Sequence, residues 1–248
     1  MIRLLLLALA VAGCAGTAAP VRAEQLDASL REEIHSVPVP AADAKIVVTT
    51  YRPRAWGPFP WIVMSHGTAP TPEANRTIGR YRSLNPIREW VRRGYAVIVP
   101  VRRGYGASGG EKFGDSYGTC ARPDFRRAGE GAALDLLATI AWARTQSDLD
   151  QKRWLLVGQS AGGFASIATD IAVPVLWFYA ENDAYIGPAA AKLWFESFRA
   201  AGGRGDFVML PPFPEARGHG VYPSAAGTPL WTAAVATFFR AHQITLPF

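Results

Sequence analysis

The 248-residue sequence predicts one α/β domain, a mostly parallel twisted sheet with helices on both faces. Three observations carry that expectation. Short, wholly apolar runs alternate with longer segments of helical character, as in sheets whose strands are buried on both sides. The length suits one well-filled core, and no linker is long enough to set off a second domain. The chain is 49% hydrophobic and 19% charged, which excludes a disordered or collagen-like chain.

The elements follow in order. Lys45 to Tyr51 is rich in β-branched residues and reads as a strand near the sheet edge. Trp61 to Met64 is a continuous apolar run ending at Ser65-His66-Gly67, as a doubly buried strand would. A helix follows, with Asn85 as its cap, Pro86 in its first turn and Gly94 at its end. Tyr95 to Val101 is the next strand. Gly131 to Gln146 is helical, with Leu134, Leu137, Ala138, Ala141 and Trp142 on one face. Trp154 to Val157 is a strand, Ala161 to about Ile171 a helix, and Val173 to Ala180 a strand. Pro188 to Ala201 is a helix closed by Gly202, Asp206 to Leu210 a strand, and Thr228-Pro229 opens a last helix reaching about Ala241.

The first residues read as a processing signal. Met1-Ile2-Arg3 is a short positive start, Leu4 to Ala12 an apolar stretch, and small residues lead to Val21-Arg22-Ala23. This is the pattern of a secretory signal peptide over 1–23, with the domain over 24–248 and an exported, periplasmic or secreted location. A competing reading is lipoprotein processing at Cys14, because Val11-Ala12-Gly13-Cys14 resembles a bacterial lipobox. A membrane partner is expected only in that case. Cleavage after Ala23 removes Arg3 and Arg22 and leaves Cys120 as the one thiol, so no internal disulfide is expected.

The net charge of +6 comes from 26 basic and 20 acidic residues. The basic residues form no tail and no nucleic-acid motif accompanies them, so no nucleic-acid partner is expected. Two cysteines are too few for a zinc spacing, and neither metal nor cofactor is expected.

Gly158-Gln159-Ser160-Ala161-Gly162 matches G-x-S-x-G, between an apolar run and a helix. A serine on such a sharp strand-to-helix turn sits in a strained conformation, and glycines two positions away on either side remove the clashes. The helix start adds positive dipole where an oxyanion forms. A serine nucleophile needs a base, usually histidine. Of His35, His66, His219 and His242, only His219 both follows Ser160 and lies in a loop at a strand exit. The acid belongs between them, at the end of the Val173–Ala180 run. Asp183 is the first choice and Glu181 the reserve. The backbone N–H groups of Ala161 and Thr68 are the expected oxyanion donors.

Candidate substrate contacts are His66, Arg103 and Tyr117. Each has a plainer reading beside it. His66 serves to order its loop, while Arg102 and Arg103 either fork a substrate carboxylate or form internal salt bridges.

Five segments together resemble the α/β-hydrolase superfamily: Ser65-His66-Gly67, Arg103-Gly104-Tyr105-Gly106-Ala107-Ser108-Gly109-Gly110, Gly158 to Gly163, Asn182-Asp183 and Gly218-His219-Gly220. Within it, residues 40 to 245 look most like the dienelactone-hydrolase-like branch of serine esterases. The resemblance implies Ser160 as nucleophile, Asp183 as acid and His219 as base, hydrolysing small or medium carboxylic esters through an acyl-enzyme without a cofactor. Two departures matter. Dienelactone hydrolases use cysteine where this chain has serine, which favours ordinary esters as substrates. Only residues 161–182, 22 in all, separate Ser160 from Asp183. That interval holds one helix and then the acid-bearing strand, so the sheet is expected to lack one strand and any cap there, with the acid strand beside the nucleophile strand. A second function therefore stays open, a catalytically degraded hydrolase scaffold acting as a binding protein.

Overall fold

A computed structural model describes residues 25–119 and 121–248. The expectations placed on residues 1–24, including the signal peptide, Cys14 and Glu24, lie outside the described residues, as does Cys120.

The described residues form nine strands and six α-helices. The strands are β1 (Glu33–Val39), β2 (Ala44–Tyr51), β3 (Phe59–Ser65), β4 (Ala96–Pro100), β5 (Gly118–Thr119), β6 (Arg122–Pro123), β7 (Leu149–Gly158), β8 (Val175–Ala180) and β9 (Gly205–Leu210). The helices are α1 (Pro72–Arg76), α2 (Leu84–Arg92), α3 (Phe125–Ala143), α4 (Ala161–Ile167), α5 (Pro188–Ala200) and α6 (Thr228–Ala241). The main sheet runs β1-β2-β4-β3-β7. β1 and β2 join antiparallel, and β4, β3 and β7 run parallel.

Alternation along β3 shows why its sequence is apolar throughout. Trp61 and Val63 enter one core layer, with Leu136 and Ile140 of α3 and Ala165 of α4. Ile62 and Met64 enter the other, with Ile87 and Trp90 of α2 and Trp231, Val235 and Phe238 of α6. A strand covered on both faces has no solvent side to make polar. The register sets Ser65 of β3 beside Gly158 of β7, which brings two loops together at the C-terminal sheet edge.

Several expectations are corrected. The sheet has an additional outer strand, β1, so His35 lies in the sheet rather than before it, and β2 is second from the edge. The helix expected from Asn85 starts at Leu84 with Ser83 before it, because the Asn85 amide instead donates to the Pro223 carbonyl at 3.1 Å. α3 starts at Phe125, six residues early, because Asp124 caps it by accepting from the Arg127 N–H at 2.9 Å. Its buried face carries Ala132, Leu136 and Ile140, whereas Leu137 is exposed. α4 stops at Ile167, before the expected Ile171.

As expected, a single helix joins the nucleophile segment to the acid-bearing strand. However, β8 does not join the main sheet. It pairs in parallel with β9 in a separate two-stranded sheet, so the acid strand is not laddered to the nucleophile strand. Contacts from the helices hold this pair as a unit. Trp177 of β8 meets Phe195 and Phe198 of α5, and Ala180 and Leu210 pack with Ala234 of α6.

The N-terminal strap is fixed by one buried carboxylate. Glu32, its side chain wholly buried, takes Arg82 bidentately at 2.8 and 2.7 Å, Arg80 at 2.7 Å and the Asp27 N–H at 2.6 Å. Burial alone would raise its pKa, but the bonds from Arg82, the Asp27 N–H and Arg80 outweigh it and bring the carboxyl down to about 2 from 4.5. The folded value lies below the unfolded one, so this stabilisation is full above pH 4.5 and is lost as pH falls toward 2. Glu32→Gln is expected to cost about 3 kcal/mol at neutral pH, because it removes the buried negative charge that two guanidinium groups share. Melting curves should show the deficit of the variant shrinking between pH 4.5 and pH 2.

Candidate active site

The candidate residues lie in the segments that follow β3, β7, β8 and β9. Ser160 follows β7 and precedes α4, with φ 55° and ψ −125°. A side-chain-bearing residue there is strained by about 1–3 kcal/mol, which the surrounding packing must hold. The glycines explain how the turn closes. A Cβ on Gly158 would overlap the Gly162 carbonyl, and one on Gly162 would overlap the carbonyls of Ser65 and His66. The β3 loop therefore lies directly on the elbow. A Cβ on Gly67 would stand 3.2 Å from Ser160 Cβ.

The N–H groups of Ala161 and Thr68 have no hydrogen-bond acceptor among the described residues. Ala161 is the first residue of α4, where N–H groups are left over by the helix ladder and carry the positive end of its dipole. Both N–H groups are thus free to receive a developing negative charge.

Asp183 and His219 are brought together across two loops. His219 Nδ1 lies 2.8 Å from Asp183 Oδ2. Asp183 Oδ1 accepts from the N–H groups of Tyr185 and Ile186 at 2.9 and 3.1 Å, which fixes the carboxylate and leaves Oδ2 to the ring. Gly218 takes φ 92°, and a Cβ there would press on the Asp183 backbone, so the chain can bring His219 this close only through glycine. Glu181, the reserve acid, is exposed and accepts no histidine. Ser160 Oγ makes no hydrogen bond among the described residues. A nucleophile–base bond that is open without substrate is common in such sites.

His66 is fully buried, and both its ring nitrogens are engaged. Nε2 accepts from the Arg102 N–H at 3.0 Å, and Nδ1 donates to the Gly67 carbonyl at 2.7 Å. Burial pushes its pKa well below 6.5, and the Arg102 charge pushes the same way, so the ring is neutral. It has no nitrogen left for a substrate, which corrects its place among the substrate contacts. Arg103 is also committed elsewhere, with Nε on Asp135 Oδ1 and Nη2 on the Gly131 carbonyl, both at 2.6 Å. The internal salt bridge, rather than a substrate fork, describes it. Tyr117 is 41% exposed with its ring 5.8 Å from Phe125, and it borders solvent.

Two contributors were not singled out in the sequence for what they do here. Asn182 donates from Nδ2 to the Phe213 carbonyl at 2.9 Å and accepts from the Phe213 N–H at 2.7 Å, clipping the acid loop to the segment that leads to His219. Tyr185 lays its ring 4.9 Å from the His219 ring. A polar residue beside a candidate acid signals a turn, but its partner 31 residues away is visible only in three dimensions. A hollow of about 580 Å³ adjoins the His219 loop, lined by Asn85, Glu215, Ala216, Gly220 and Ser224 among others. Among the described residues, no three His, Cys, Asp or Glu side chains are grouped to hold a metal ion. No helix among them is long and apolar enough to cross a membrane.

Comparison with known proteins bears on the family and the fold. Residues 43–196, more than half the chain, match the X-Pro dipeptidyl-peptidase (S15) family, a stretch that includes Ser160 and Asp183 and ends before His219. No curated protein matches the chain. Solved structures with the same fold include a protein of Klebsiella pneumoniae assigned to the dienelactone hydrolases (18% identity, 84% of this chain and 98% of that one, TM-score 0.57). Another is XC6422 of Xanthomonas campestris, an α/β serine hydrolase without a lid (17% identity, 88% and 96%, TM-score 0.55). A third is esterase 2 of Thermogutta terrifontis, phosphonylated by cyclosarin (14% identity, 86% and 95%, TM-score 0.56). At these identities they share the α/β-hydrolase fold with this chain.

Proposed function

The chain belongs to the X-Pro dipeptidyl-peptidase (S15) family, and on that premise we propose that it is an exported serine hydrolase cleaving carboxylic esters of small or medium size. Ser160 is the nucleophile, His219 the general base and Asp183 the residue that orients and charges-balances His219. The observation that carries this reading is the strained Ser160 turn, which stands against two unengaged N–H groups. Strain of this kind persists at sites where it is used.

The proposed steps are these. Ser160 Oγ attacks the ester carbonyl carbon while His219 Nε2 takes the hydroxyl proton. The carbonyl oxygen, now negative, is held by the N–H groups of Ala161 and Thr68. Asp183, whose Oδ2 already accepts from Nδ1, stabilises the imidazolium. Nε2 then gives its proton to the departing alkoxide, leaving an acyl-serine. Water then attacks that acyl group, losing a proton to Nε2, and Nε2 returns that proton to Ser160 Oγ as the acyl–Oγ bond breaks and the acid leaves.

Esters are preferred to amides in this reading because an alkoxide leaves more easily than an amine, and the site has no cap after α4 to enclose a demanding substrate. A panel of p-nitrophenyl esters of increasing acyl length, with an X-Pro p-nitroanilide alongside, tests it. Turnover of short and medium esters exceeding that of the anilide is the expected result. The reverse order would replace the ester reading by a peptidase one.

Export is proposed from the leader-like start. Intact mass of the protein secreted from a bacterial host should place Glu24 at the N-terminus, and a diacylated Cys14 would replace this with lipoprotein anchoring.

A further inference from the structure

We propose that Arg102 is a positioning residue that aims the Thr68 N–H through His66, an inference that rests on the serine-hydrolase reading above. Arg102 leaves the end of β4 and is completely buried. It holds the β3 loop at three points. Its Nη1 donates to the His66 carbonyl at 2.5 Å and to Ser65 Oγ at 3.0 Å, and its backbone N–H donates to His66 Nε2 at 3.0 Å. That last bond decides the tautomer. An Nε2 that accepts cannot carry the proton, so the proton is on Nδ1, which donates to the Gly67 carbonyl at 2.7 Å.

The consequence lies in the next peptide unit. In a planar trans peptide the N–H points opposite to the C=O. Turning the Gly67 carbonyl toward His66 therefore turns the Thr68 N–H to the other side, and that N–H has no acceptor among the described residues. Two groups of Arg102 share the control: its backbone N–H sets the imidazole, which turns the Gly67 carbonyl and so the Thr68 N–H, and its guanidinium holds the His66 carbonyl one peptide earlier in the same loop.

The support around Arg102 is built for placement rather than stability. Its Nε reaches Asp115 Oδ2 at 3.3 Å, and Tyr105, whose ring lies 5.0 Å from the guanidinium carbon, donates to the same carboxylate at 2.9 Å. Its Nη2 is buried without an acceptor among the described residues. A buried cation with one long carboxylate contact and an unmet nitrogen is a poor stabiliser. Residues that break such local rules are expected where they serve a site.

The test uses the whole chain and four variants. Arg102→Met keeps the stem and the backbone N–H to His66 Nε2 but removes the side-chain donors to the His66 carbonyl and Ser65 Oγ, and Arg102→Lys restores charge and one donor. His66→Phe keeps a ring without nitrogens, and His66→Asn restores an N–H near the Nδ1 position. Each is measured for kcat and KM on a p-nitrophenyl ester, for Tm, and for inhibition by phenylboronic acid. The tetrahedral boronate adduct on serine needs the oxyanion donors, whereas ground-state ester binding needs them little. Loss of one such donor costs about 10²–10³ in kcat. Arg102→Met and His66→Phe should lose about 100-fold in kcat with KM within about twofold, and boronate affinity should fall in parallel. His66→Asn should recover part of both. A role confined to folding would lower Tm and leave the kcat and boronate affinity of the folded fraction unchanged.

A folded His66→Phe with kcat and boronate affinity within threefold of the parent would overturn the inference. Should Arg102→Met not fold, His66→Phe alone decides. A parent protein that neither turns over esters nor binds the boronate would overturn the serine-hydrolase reading itself, a result distinct from retention of kcat in the variants.

Discussion

Ser160→Ala is expected to lower ester turnover by about 10⁶, to the background of the assay, with Tm unchanged within about two degrees. The magnitude follows from removing the group that forms the acyl intermediate, which leaves only the oxyanion donors to act on water. Stability should hold because alanine meets the same φ of 55° with no added bulk, and Ser160 Oγ gives up no hydrogen bond among the described residues. Turnover measured from the released chromophore, beside a thermal melt, checks both parts. A folded Ser160→Ala that retains a tenth of the parent turnover would move the nucleophile elsewhere.

Asp183→Asn should fold and lose about 10⁴ in kcat. The reason can be read from the two carboxylate oxygens. Oδ1 accepts from the N–H groups of Tyr185 and Ile186, so an asparagine keeps its carbonyl oxygen there. Its NH₂ then occupies the Oδ2 position, 2.8 Å from His219 Nδ1. A donor facing that nitrogen selects the tautomer with the proton on Nε2, which cannot accept the Ser160 proton. Glu181→Gln should change kcat less than threefold, because Glu181 is exposed and touches no histidine. Near-normal turnover in a folded Asp183→Asn would mean that Glu181, or no acid at all, completes the site.

How much of this was legible in the sequence depends on whether the signal is local. β3 and β4 were plain, because strands covered on both faces are apolar at every position. β1 was missed. Glu33 to Val39 mixes one charged residue, a histidine, a serine and Pro38 with its apolar positions, as an outer strand tolerates, and its pairing with β2 supplies the order that its own residues do not. The start of α3 was missed because Gly129 and Gly131 look like breakers. Both are accommodated for close packing, and a Cβ on Gly131 would overlap the Gly114 carbonyl. The separation of β8 from the main sheet was not legible either. Strand pairing across residues 161–182 is decided by how α5 and α6 grip β8 and β9, a contact set far apart in the chain.

The site followed the same division. Ser160 announced itself by two glycines whose clashes are local. Asp183 and His219 were reachable from chain order, and the structure sets them 2.8 Å apart. The arginines misled, because a basic side chain at a strand end looks the same in sequence whether it meets a substrate or a buried acid. Arg103 meets Asp135, which sits nearly three turns into α3, beyond any local window.

The measurement that tests the central claim most directly is labelling of the purified protein with a fluorophosphonate, followed by mass mapping of the modified peptide. The reagent phosphonylates a serine only where a base and oxyanion donors converge on it. The account predicts one adduct, on Ser160, formed within minutes in the parent and slowed at least 100-fold in His219→Ala. An unlabelled parent, or an adduct on any other residue, would contradict it.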